Sequence, residues 1–240
     1  MKIYDIIADR YDSIFPVEPA KIDFIASQVI KEDANILDIG CATGELAYRL
    51  STKFNNARIL GIDLNSRMIS IANRNYKTKN NLHFEVRDMT GYQVDEKVDL
   101  ALCIGNTLPH LKDKGELIQF LGSIYSGLNV SGRLILQFLN YDKIVKEGQI
   151  SFEKIETEDT IFLREYRDIT KERIKFNIKL IEKETLKEHQ DSVELTPIYE
   201  QEVENILKNI GYMVAEKYGS WKKQKSDYTN FYKVIVAKKN

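Results

Sequence analysis

The sequence predicts an α/β fold with a Rossmann-like sheet of seven strands, mostly parallel, in which the last strand is antiparallel. From residue 22 to residue 138, apolar strand-like runs alternate with segments of helical period, which is typical of parallel sheets with right-handed crossovers. Between residues 150 and 198 the apolar period becomes two, which indicates an antiparallel β-meander inserted after the fifth strand. Only a loop separates the last two strand-like runs, so we expect those strands to pair antiparallel.

The composition is that of an ordinary globular protein. Of the 240 residues, 43% are hydrophobic and 30% are charged, and the net charge is −1, so nothing favours nucleic acid or a membrane surface as a partner. No apolar run approaches the roughly 20 residues of a membrane-spanning helix, and the first residues are charged. We therefore expect a single cytoplasmic domain over residues 1–240, with Cys41 and Cys103 reduced. Monomer and homo-oligomer both stay open.

The predicted elements of the first part of the chain alternate regularly. Ser66 is the expected N-cap of the third helix, and Asn129–Gly132 is the expected turn before the fifth strand. Strands are expected at Asn35–Gly40, Arg58–Asp63, Leu82–Arg87, Val98–Ile104 and Arg133–Phe138. Helices are expected at Ile22–Ile30, Gly44–Phe54, Arg67–Tyr76 and Asp113–Leu128.

The second part of the chain begins with the inserted segment. Apolar and polar residues alternate strictly over Ile174–Leu180, so we expect residues 141–198 to form an antiparallel β subdomain that covers the substrate and keeps one solvated face. Its other strands are expected around Phe152–Ile155, Ile161–Leu163 and Val193–Leu195. A helix at Tyr199–Ile210 and strands at Tyr212–Tyr218 and Tyr232–Lys238 complete the fold.

The turn after the first strand carries the most information about function. The run Ile36–Ile39 ends on Gly40, and Gly44 opens the following helix, an arrangement typical of a nucleotide-binding corner in which glycines let a ligand approach and free N–H groups face it. The spacing Gly-x-x-x-Gly differs from the dinucleotide pattern Gly-x-Gly-x-x-Gly. Asp38 would repel a pyrophosphate but suits a ligand with an amino group and a positive centre, which points to S-adenosylmethionine.

Acids and a glycine follow the next three strands. Asp63 ends the second strand, where its carboxylate can accept both hydroxyls of a ribose. Asp88 follows the third strand, and Gly105 with Asn106 follows the fourth. All four positions fall at the carboxyl ends of strands, where open parallel sheets bind ligands. Simple turn glycines and helix-capping acids are the alternative for each position taken alone, and a nicotinamide enzyme is the rival for the set.

These motifs together resemble the class I S-adenosylmethionine-dependent methyltransferases, and the likeness extends over nearly the whole chain. Three segments resemble the glycine/sarcosine N-methyltransferase-like group that acts on small molecules: Tyr4–Asp12, Gly105–Leu111 and Asn140–Asp142. The resemblance implies that the acid after the third strand takes the adenine amino group and that the next side chain packs on the ring. It implies a cofactor shell of Tyr11, Asp38, Gly40, Cys41, Ala42, Gly44, Asp63, Leu64, Met68, Asp88, Met89, Ile104, Gly105 and Asn106.

The same resemblance suggests how the methyl acceptor is held. It implies that Asn140 helps to hold the acceptor and that an arginine of the inserted segment binds its carboxylate. Arg164, Arg167 and Arg173 are the candidates, and spacing selects none of them. Tyr141 belongs to the same motif and is a candidate for the catalytic site.

Methyl transfer requires mainly orientation and desolvation, because the leaving group is neutral. A hydroxyl acceptor would also need a base, and His110 is the histidine that a loop places on the expected active face. We expect a small-molecule acceptor that is methylated on an amine nitrogen. Methylation of oxygen or carbon, or a protein that binds the cofactor without catalysis, are the alternatives.

Two features bear on the partners of the reaction. Trp221 follows the carboxyl end of a strand, where it can cover the pocket or stack on an aromatic acceptor; we favour a cover, because no wider basic stripe supports nucleic acid. No cysteine–histidine group has the spacing of metal ligands, so we expect no metal in the reaction.

Overall fold

The computed structural model describes residues 2–148 and 150–240, which form two β-sheets and flanking helices. The first sheet has seven strands in the order β11-β12-β5-β4-β1-β2-β3. Its strands are β1 (Asn35–Ile39), β2 (Arg58–Asp63), β3 (Leu82–Val86), β4 (Val98–Cys103), β5 (Leu128–Leu139), β11 (Tyr212–Tyr218) and β12 (Tyr232–Lys239). Strand β12 runs antiparallel to both of its neighbours, β11 and β5, and all other pairs of the sheet are parallel, which confirms the predicted fold class.

The helices occupy the connections and the N-terminal segment. They are α1 (Lys2–Ile7), α2 (Tyr11–Ile14), α3 (Pro19–Ala26), α4 (Glu45–Lys53), α5 (Ser66–Tyr76), α6 (Lys114–Gly127), α7 (Tyr141–Glu147) and α8 (Glu200–Ile210). None of the described helices is long and apolar enough to cross a membrane.

Three predicted helix ends and one predicted turn need correction. Helix α3 begins earlier than expected, because Pro19 suits the first turn of a helix, and it ends at Ala26 instead of the expected Ile30. The cap of α5 is Asn65 and not Ser66, since the Asn65 Oδ1 accepts a hydrogen bond from the Met68 N–H at 3.0 Å. The expected turn at Asn129–Gly132 is a bulge inside β5, at which the pairing with β4 shifts register.

The central strands are buried on both faces because helices cover both sides of the parallel part of the sheet. All six residues of β4 are buried, and β1 lies between β4 and β2 with parallel pairing to both. The carboxyl ends of β1, β2 and β4 therefore meet at one edge of the sheet, as the sequence predicts.

The second sheet covers that edge. Its strands are β6 (Ile150–Ser151), β7 (Ile155–Glu156), β8 (Thr160–Arg167), β9 (Ile174–Glu182) and β10 (Glu188–Leu195), all paired antiparallel. Phe162, Tyr166 and Ile178 are buried on one face, whereas Arg167 and Lys175 are exposed on the other. The meander with one solvated face is confirmed, and its apolar face points towards the first sheet. However, the predicted range 141–198 begins with helix α7, and the strand expected around Phe152–Ile155 is replaced by the short strands β6 and β7.

The N-terminal segment, residues 2–14, lies between the two sheets, and the sequence analysis did not predict its helices. Ile7 and Ile14 pack in one apolar cluster with Met68 of α5 and with the meander. Polar contacts add to this packing: Asp5 accepts a hydrogen bond from the Asn65 Nδ2 at 2.8 Å, and Arg10 pairs with Asp159 at 2.9 Å. The segment therefore ties the meander to the sheet edge.

We predict that Gly44→Ala lowers the free energy of unfolding by about 1–3 kcal/mol. Gly44 has a φ of +82°, and a Cβ there would lie 2.4 Å from the Phe84 ring. Urea denaturation measures the change. Gly122→Ala is the matched control, because a Cβ at this position of α6 meets nothing within 4 Å and alanine favours a helix by about 0.5–1 kcal/mol. Equal stability of the two variants would contradict this account of the turn.

Candidate active site

Two adjoining cavities open at the carboxyl edge of the first sheet. The smaller, of about 220 Å³, lies beside β2 and β3, and the larger, of about 490 Å³, lies under the meander. Both are lined by Tyr11, Gly40, Gly105, Asn106 and His110, so they form one continuous site. Its volume is in the range of small-molecule and cofactor pockets.

The backbone N–H groups of the turn after β1 are engaged by β2. The Gly40 and Cys41 N–H groups donate to the Ile62 carbonyl at 2.8 and 3.0 Å, and the Ala42 N–H donates to the Asp63 carboxylate at 2.9 Å. The expectation that these groups stay free for a ligand is therefore wrong. Strand β2 extends alongside the turn, and its end supplies the acceptors.

Gly40 and Gly44 serve the turn in different ways. Gly40 has a φ of +73°, and a Cβ there would lie 2.5 Å from the Thr107 Oγ1, so glycine allows both the turn and the close approach of the loop after β4. Gly40 also lines both cavities. Gly44 lines neither cavity, and a Cβ there would meet the side chains of Phe84 and Ala72, so it shapes the turn behind the ligand surface.

Asp63 joins the first two strand ends at the floor of the smaller cavity. Its carboxylate accepts hydrogen bonds from the N–H groups of Ala42 and Asn65, at 2.9 and 2.8 Å. Burial raises its pKa, and those hydrogen bonds oppose the rise. A carboxylate offers about four acceptor positions, so Asp63 keeps capacity for the two hydroxyls of a ribose.

The rest of the smaller cavity suits a flat base. Leu64 lines it with half of its surface exposed, although it is a large apolar side chain, and Met68 lines it from α5. Asp88 and Met89 face them from the end of β3, and the Asp88 carboxylate also accepts from the Thr90 N–H at 2.8 Å. The structure thus brings together the predicted residues of the second and third strand ends.

Asp38 lies in the larger cavity with Cys41 and Ile104. Its side chain is buried, and burial together with nearby Asp63 raises its pKa to about 7. Lys21 of α3 lines the same cavity and opposes this rise. A cationic group on a ligand would favour the ionised form of Asp38, which fits the amino and sulfonium groups of S-adenosylmethionine. The position of Lys21 in the cavity was not predicted from the sequence, because a lysine in a helix is usually solvated.

Asn106 connects the loop after β4 to the meander. Its φ is +65°, its Oδ1 accepts from the Leu139 N–H at 3.1 Å, and its Nδ2 donates to the hydroxyls of Tyr141 and Tyr166 at 3.0 and 3.3 Å. Tyr141 is fully buried and does not line either cavity, whereas Tyr166 lines the larger one. Tyr141 therefore supports the site from behind its wall.

Asn140 lies behind the wall as well. Its Oδ1 accepts from the Lys143 N–H at 3.4 Å at the start of α7, and its Nδ2 donates to the carbonyls of Tyr228 and Asn230, both at 2.9 Å. Only 1% of the residue is exposed. These bonds fix the segment 228–231, which carries Phe231 into the lining of the larger cavity. This geometry gives Asn140 a positioning role for the wall.

His110 faces both cavities next to Tyr4 of the N-terminal segment. The Tyr4 hydroxyl lies 2.7 Å from the His110 Nε2, and the buried Nδ1 has no hydrogen-bond partner among the described residues. Burial lowers the pKa of the ring to about 4, so the imidazole is neutral near pH 7 and is a weak base. Tyr4 was not assigned a role from sequence, because its contact with His110 depends on how the N-terminal segment folds back.

The structure separates the three candidate arginines. Arg164 lines the larger cavity, with its guanidinium over the rings of Phe15, Phe152 and Phe162 at 5.4, 5.1 and 5.8 Å. Its buried Nε has no partner among the described residues, and burial lowers its pKa. The other two arginines lie elsewhere: Arg167 pairs with Glu165, and Arg173 donates to the Lys112 carbonyl.

Trp221 forms a fixed part of the cavity wall. It is 5% exposed and packs against Phe24 and Tyr232, with ring centroids 5.4 and 6.0 Å apart. The loop between β11 and β12 does open on the predicted face, because both Trp221 and Phe231 line the larger cavity. His83 and His189 line neither of the two cavities.

The chain is similar to known methyltransferases. Residues 36–132 match a family model described as a methyltransferase domain. A glycine/sarcosine N-methyltransferase from Halorhodospira halochloris is 23% identical over 98% of this chain and 88% of its own length. The chain spans about half the length of other curated relatives that it matches, 58% of one and 47% of another.

Solved structures share the fold over the whole chain. An S-adenosylmethionine-dependent methyltransferase from Clostridium acetobutylicum superposes with a TM-score of 0.84 at 20% identity, covering 99% of both chains. CalS10 from Micromonospora echinaspora, an amino pentose methyltransferase solved with S-adenosylmethionine bound, has a TM-score of 0.68 at 17% identity, over 100% of this chain and 91% of its own. Residues 36–132 therefore match a methyltransferase domain, and the chain as a whole shares the fold of these S-adenosylmethionine-dependent methyltransferases.

We predict that Asp63→Asn weakens binding of S-adenosylhomocysteine by about 1.5–3 kcal/mol, which is about 10- to 100-fold in Kd. The amide oxygen can still accept from the Ala42 N–H, but the amide nitrogen then faces the Asn65 N–H, and the charge that strengthens hydrogen bonds from the ribose is lost. Isothermal titration calorimetry measures the change, with Asp23→Asn on the exposed surface of α3 as the matched control. An unchanged Kd in a folded Asp63→Asn protein would refute the ribose assignment.

We also predict a pH dependence of cofactor binding that originates at Asp38. Below its pKa of about 7 the carboxyl is protonated and must lose its proton to accept a cationic ligand. The affinity for S-adenosylhomocysteine should therefore fall by up to about tenfold per pH unit below pH 7 and level off above pH 8. Calorimetry from pH 5.5 to 8.5 tests this. Asp38→Asn should bind more weakly with a flatter profile, and an equally steep profile in this variant would assign the proton elsewhere.

Proposed function

We propose that the chain is an S-adenosylmethionine-dependent methyltransferase that acts on an amine nitrogen of a small molecule bearing an anionic group. One observation carries this proposal. Among the described residues, two buried side-chain nitrogens have no hydrogen-bond partner, the Arg164 Nε and the His110 Nδ1, and both residues line the larger cavity. Two unsatisfied polar groups in one cavity support a ligand that completes both.

The guanidinium of Arg164 supports an anionic acceptor. The Arg164 side chain is half-buried and its Nε is fully buried. A charge without a counter-ion in such a place is costly, and the aromatic rings around Arg164 compensate that cost only in part. A carboxylate or phosphate can accept two parallel hydrogen bonds from a guanidinium. Since the cavity is about 490 Å³, the acceptor is a small molecule, and the proposal includes no nucleic acid.

The chemistry of the cavity favours an amine over a hydroxyl. S-adenosylmethionine supplies a methyl group on a positively charged sulfur, and the protein must present a nucleophile with a free electron pair. A hydroxyl would need a base, and a pKa of about 4 makes His110 a poor one. An ammonium group needs only to lose its extra proton, and burial near another cation lowers its pKa. His110 then orients the acceptor rather than removing a proton from a hydroxyl.

Two of the similar proteins support the amine. One is named a glycine/sarcosine N-methyltransferase and the other an amino pentose methyltransferase, and both names specify acceptors that carry an amino group. Sequence identity to both is low, so they support the type of acceptor and do not identify it.

The proposal is tested by measuring release of S-adenosylhomocysteine with a panel of amino acids, amino sugars, simple amines, phenols and carboxylates. We expect turnover with amines that carry an acidic group. Arg164→Gln should raise KM for such an acceptor at least about tenfold, the loss of one charged hydrogen-bonding pair, and leave cofactor affinity unchanged. Arg167→Gln, on the solvated face of the same strand, is the matched control.

Two results would overturn the proposal. Turnover confined to phenols or carbon acids would exclude the amine. Cofactor binding without turnover on any anionic amine would exclude the proposed acceptor and favour a protein that binds the cofactor without catalysis.

A further inference from the structure

The larger cavity has an aromatic lining that is more extensive than the cofactor and an acceptor as small as glycine would cover. Phenylalanine, tyrosine and tryptophan side chains reach it from the N-terminal segment, from the meander and from the loop between β11 and β12. They are Tyr4, Tyr11, Phe15, Phe152, Phe162, Tyr166, Phe176, Trp221, Phe231 and Tyr232.

Part of this lining has a role already described. Phe15, Phe152 and Phe162 surround the Arg164 guanidinium. Trp221 and Tyr232, at the two ends of the loop between β11 and β12, make no such contact with Arg164 among those described. The Trp221 ring packs on the rings of Phe24 and Tyr232. The rings of Trp221 and Tyr232 form an apolar part of the cavity wall.

Phe231 is the most informative member of the lining. It is 58% exposed although it is a large apolar side chain, and its ring lies 6.1 Å from that of Phe152 in an edge-to-face arrangement. The Phe231 carbonyl accepts a hydrogen bond from the Asn140 N–H at 3.0 Å, so the backbone is anchored while the ring stays exposed. An anchored, exposed ring in a cavity lining is typical of a surface that a ligand covers.

The size of the larger cavity also indicates a ligand that covers the aromatic lining. The smaller cavity has the residues that suit the nucleoside of the cofactor, which leaves the larger cavity to the methionine part and the acceptor. An acceptor of glycine size, bound at Arg164, would leave most of the aromatic lining in contact with water. Apolar surface that stays wet contributes nothing to binding, whereas covering it contributes roughly 25 cal/mol per Å².

We infer that the acceptor has an aromatic or comparably large apolar body in addition to its anionic group, which excludes glycine and sarcosine as preferred acceptors. The statement that the acceptor is an amine rests on the proposed function. The binding site for the anionic group and for the apolar body is argued from the geometry of the cavity alone. Arg164 holds the acid, and the rings of Phe231, Phe152 and Trp221 cover the body.

A probe without an amino group separates the inference from the proposed reaction. 3-Phenylpropionate has a carboxylate and an aromatic ring but no nitrogen to methylate, and acetate has the carboxylate alone. Trp221 is the single tryptophan of the chain and lines the cavity, so its fluorescence reports binding directly. The titrations use the full chain saturated with S-adenosylhomocysteine.

We expect 3-phenylpropionate to change the fluorescence of Trp221 and to bind at least about tenfold more tightly than acetate, as covering one aromatic face of roughly 60 Å² implies. Phe231→Ala should reduce that difference several-fold without changing the affinity for acetate or for S-adenosylhomocysteine. Val130→Ala, at an exposed apolar residue outside the cavity, is the control and should bind both probes as the wild type does.

Equal affinity for the two acids, or a preference that is undiminished in Phe231→Ala, would overturn the inference. The failure of the proposed function gives a different result: 3-phenylpropionate would bind as expected, but neither phenylalanine nor phenylethylamine would be methylated. If the amine is methylated, phenylalanine should exceed glycine in kcat/KM by at least the ratio found for the two acids, and the reverse order would overturn the inference.

Discussion

The hydrogen bonds that join the turn after β1 to the end of β2 determine the shape of the site. The Ile62 carbonyl and the Asp63 carboxylate accept the N–H groups of Gly40, Cys41 and Ala42, so the turn is held against its neighbouring strand before any ligand binds. Because the turn is fixed, Asp38 is buried on one side of it and Asp63 faces the smaller cavity on the other. Such preorganisation reduces the cost of ordering the protein around a ligand.

Several polar and charged side chains of the site lack a partner among the described residues when no ligand is bound. Each of them suits a different group of the cofactor or of the methyl acceptor. Burial raises the pKa of Asp38, which a cationic group would reverse, and the Arg164 guanidinium has no carboxylate beside it among the contacts described. His110 is neutral and has one unsatisfied nitrogen. The meander and the N-terminal segment enclose these groups, and enclosure strengthens their interactions with a bound ligand because the local dielectric is low.

The sequence was sufficient to predict the strand ends and the acids on them, because those features depend on local patterns. It did not predict the partners of the turn N–H groups, which depend on the register of β1 against β2. Nor did it choose among the arginines, although a signal was present: Arg164 shares the two-residue period of buried Phe162 and Tyr166, and Arg167 does not. Tyr4 meets His110 across 106 positions of sequence, a distance over which no local pattern acts.

The central claim is that one continuous site holds the nucleoside over Asp63 and presents the methyl group to the cavity of Arg164. A crystal structure of the protein with S-adenosylhomocysteine tests it most directly. We predict the ribose hydroxyls within hydrogen-bonding distance of the Asp63 carboxylate, the base beside Leu64 and Met89, and the sulfur facing the larger cavity. A nucleoside bound outside the smaller cavity, or a sulfur directed away from Arg164, would contradict the account.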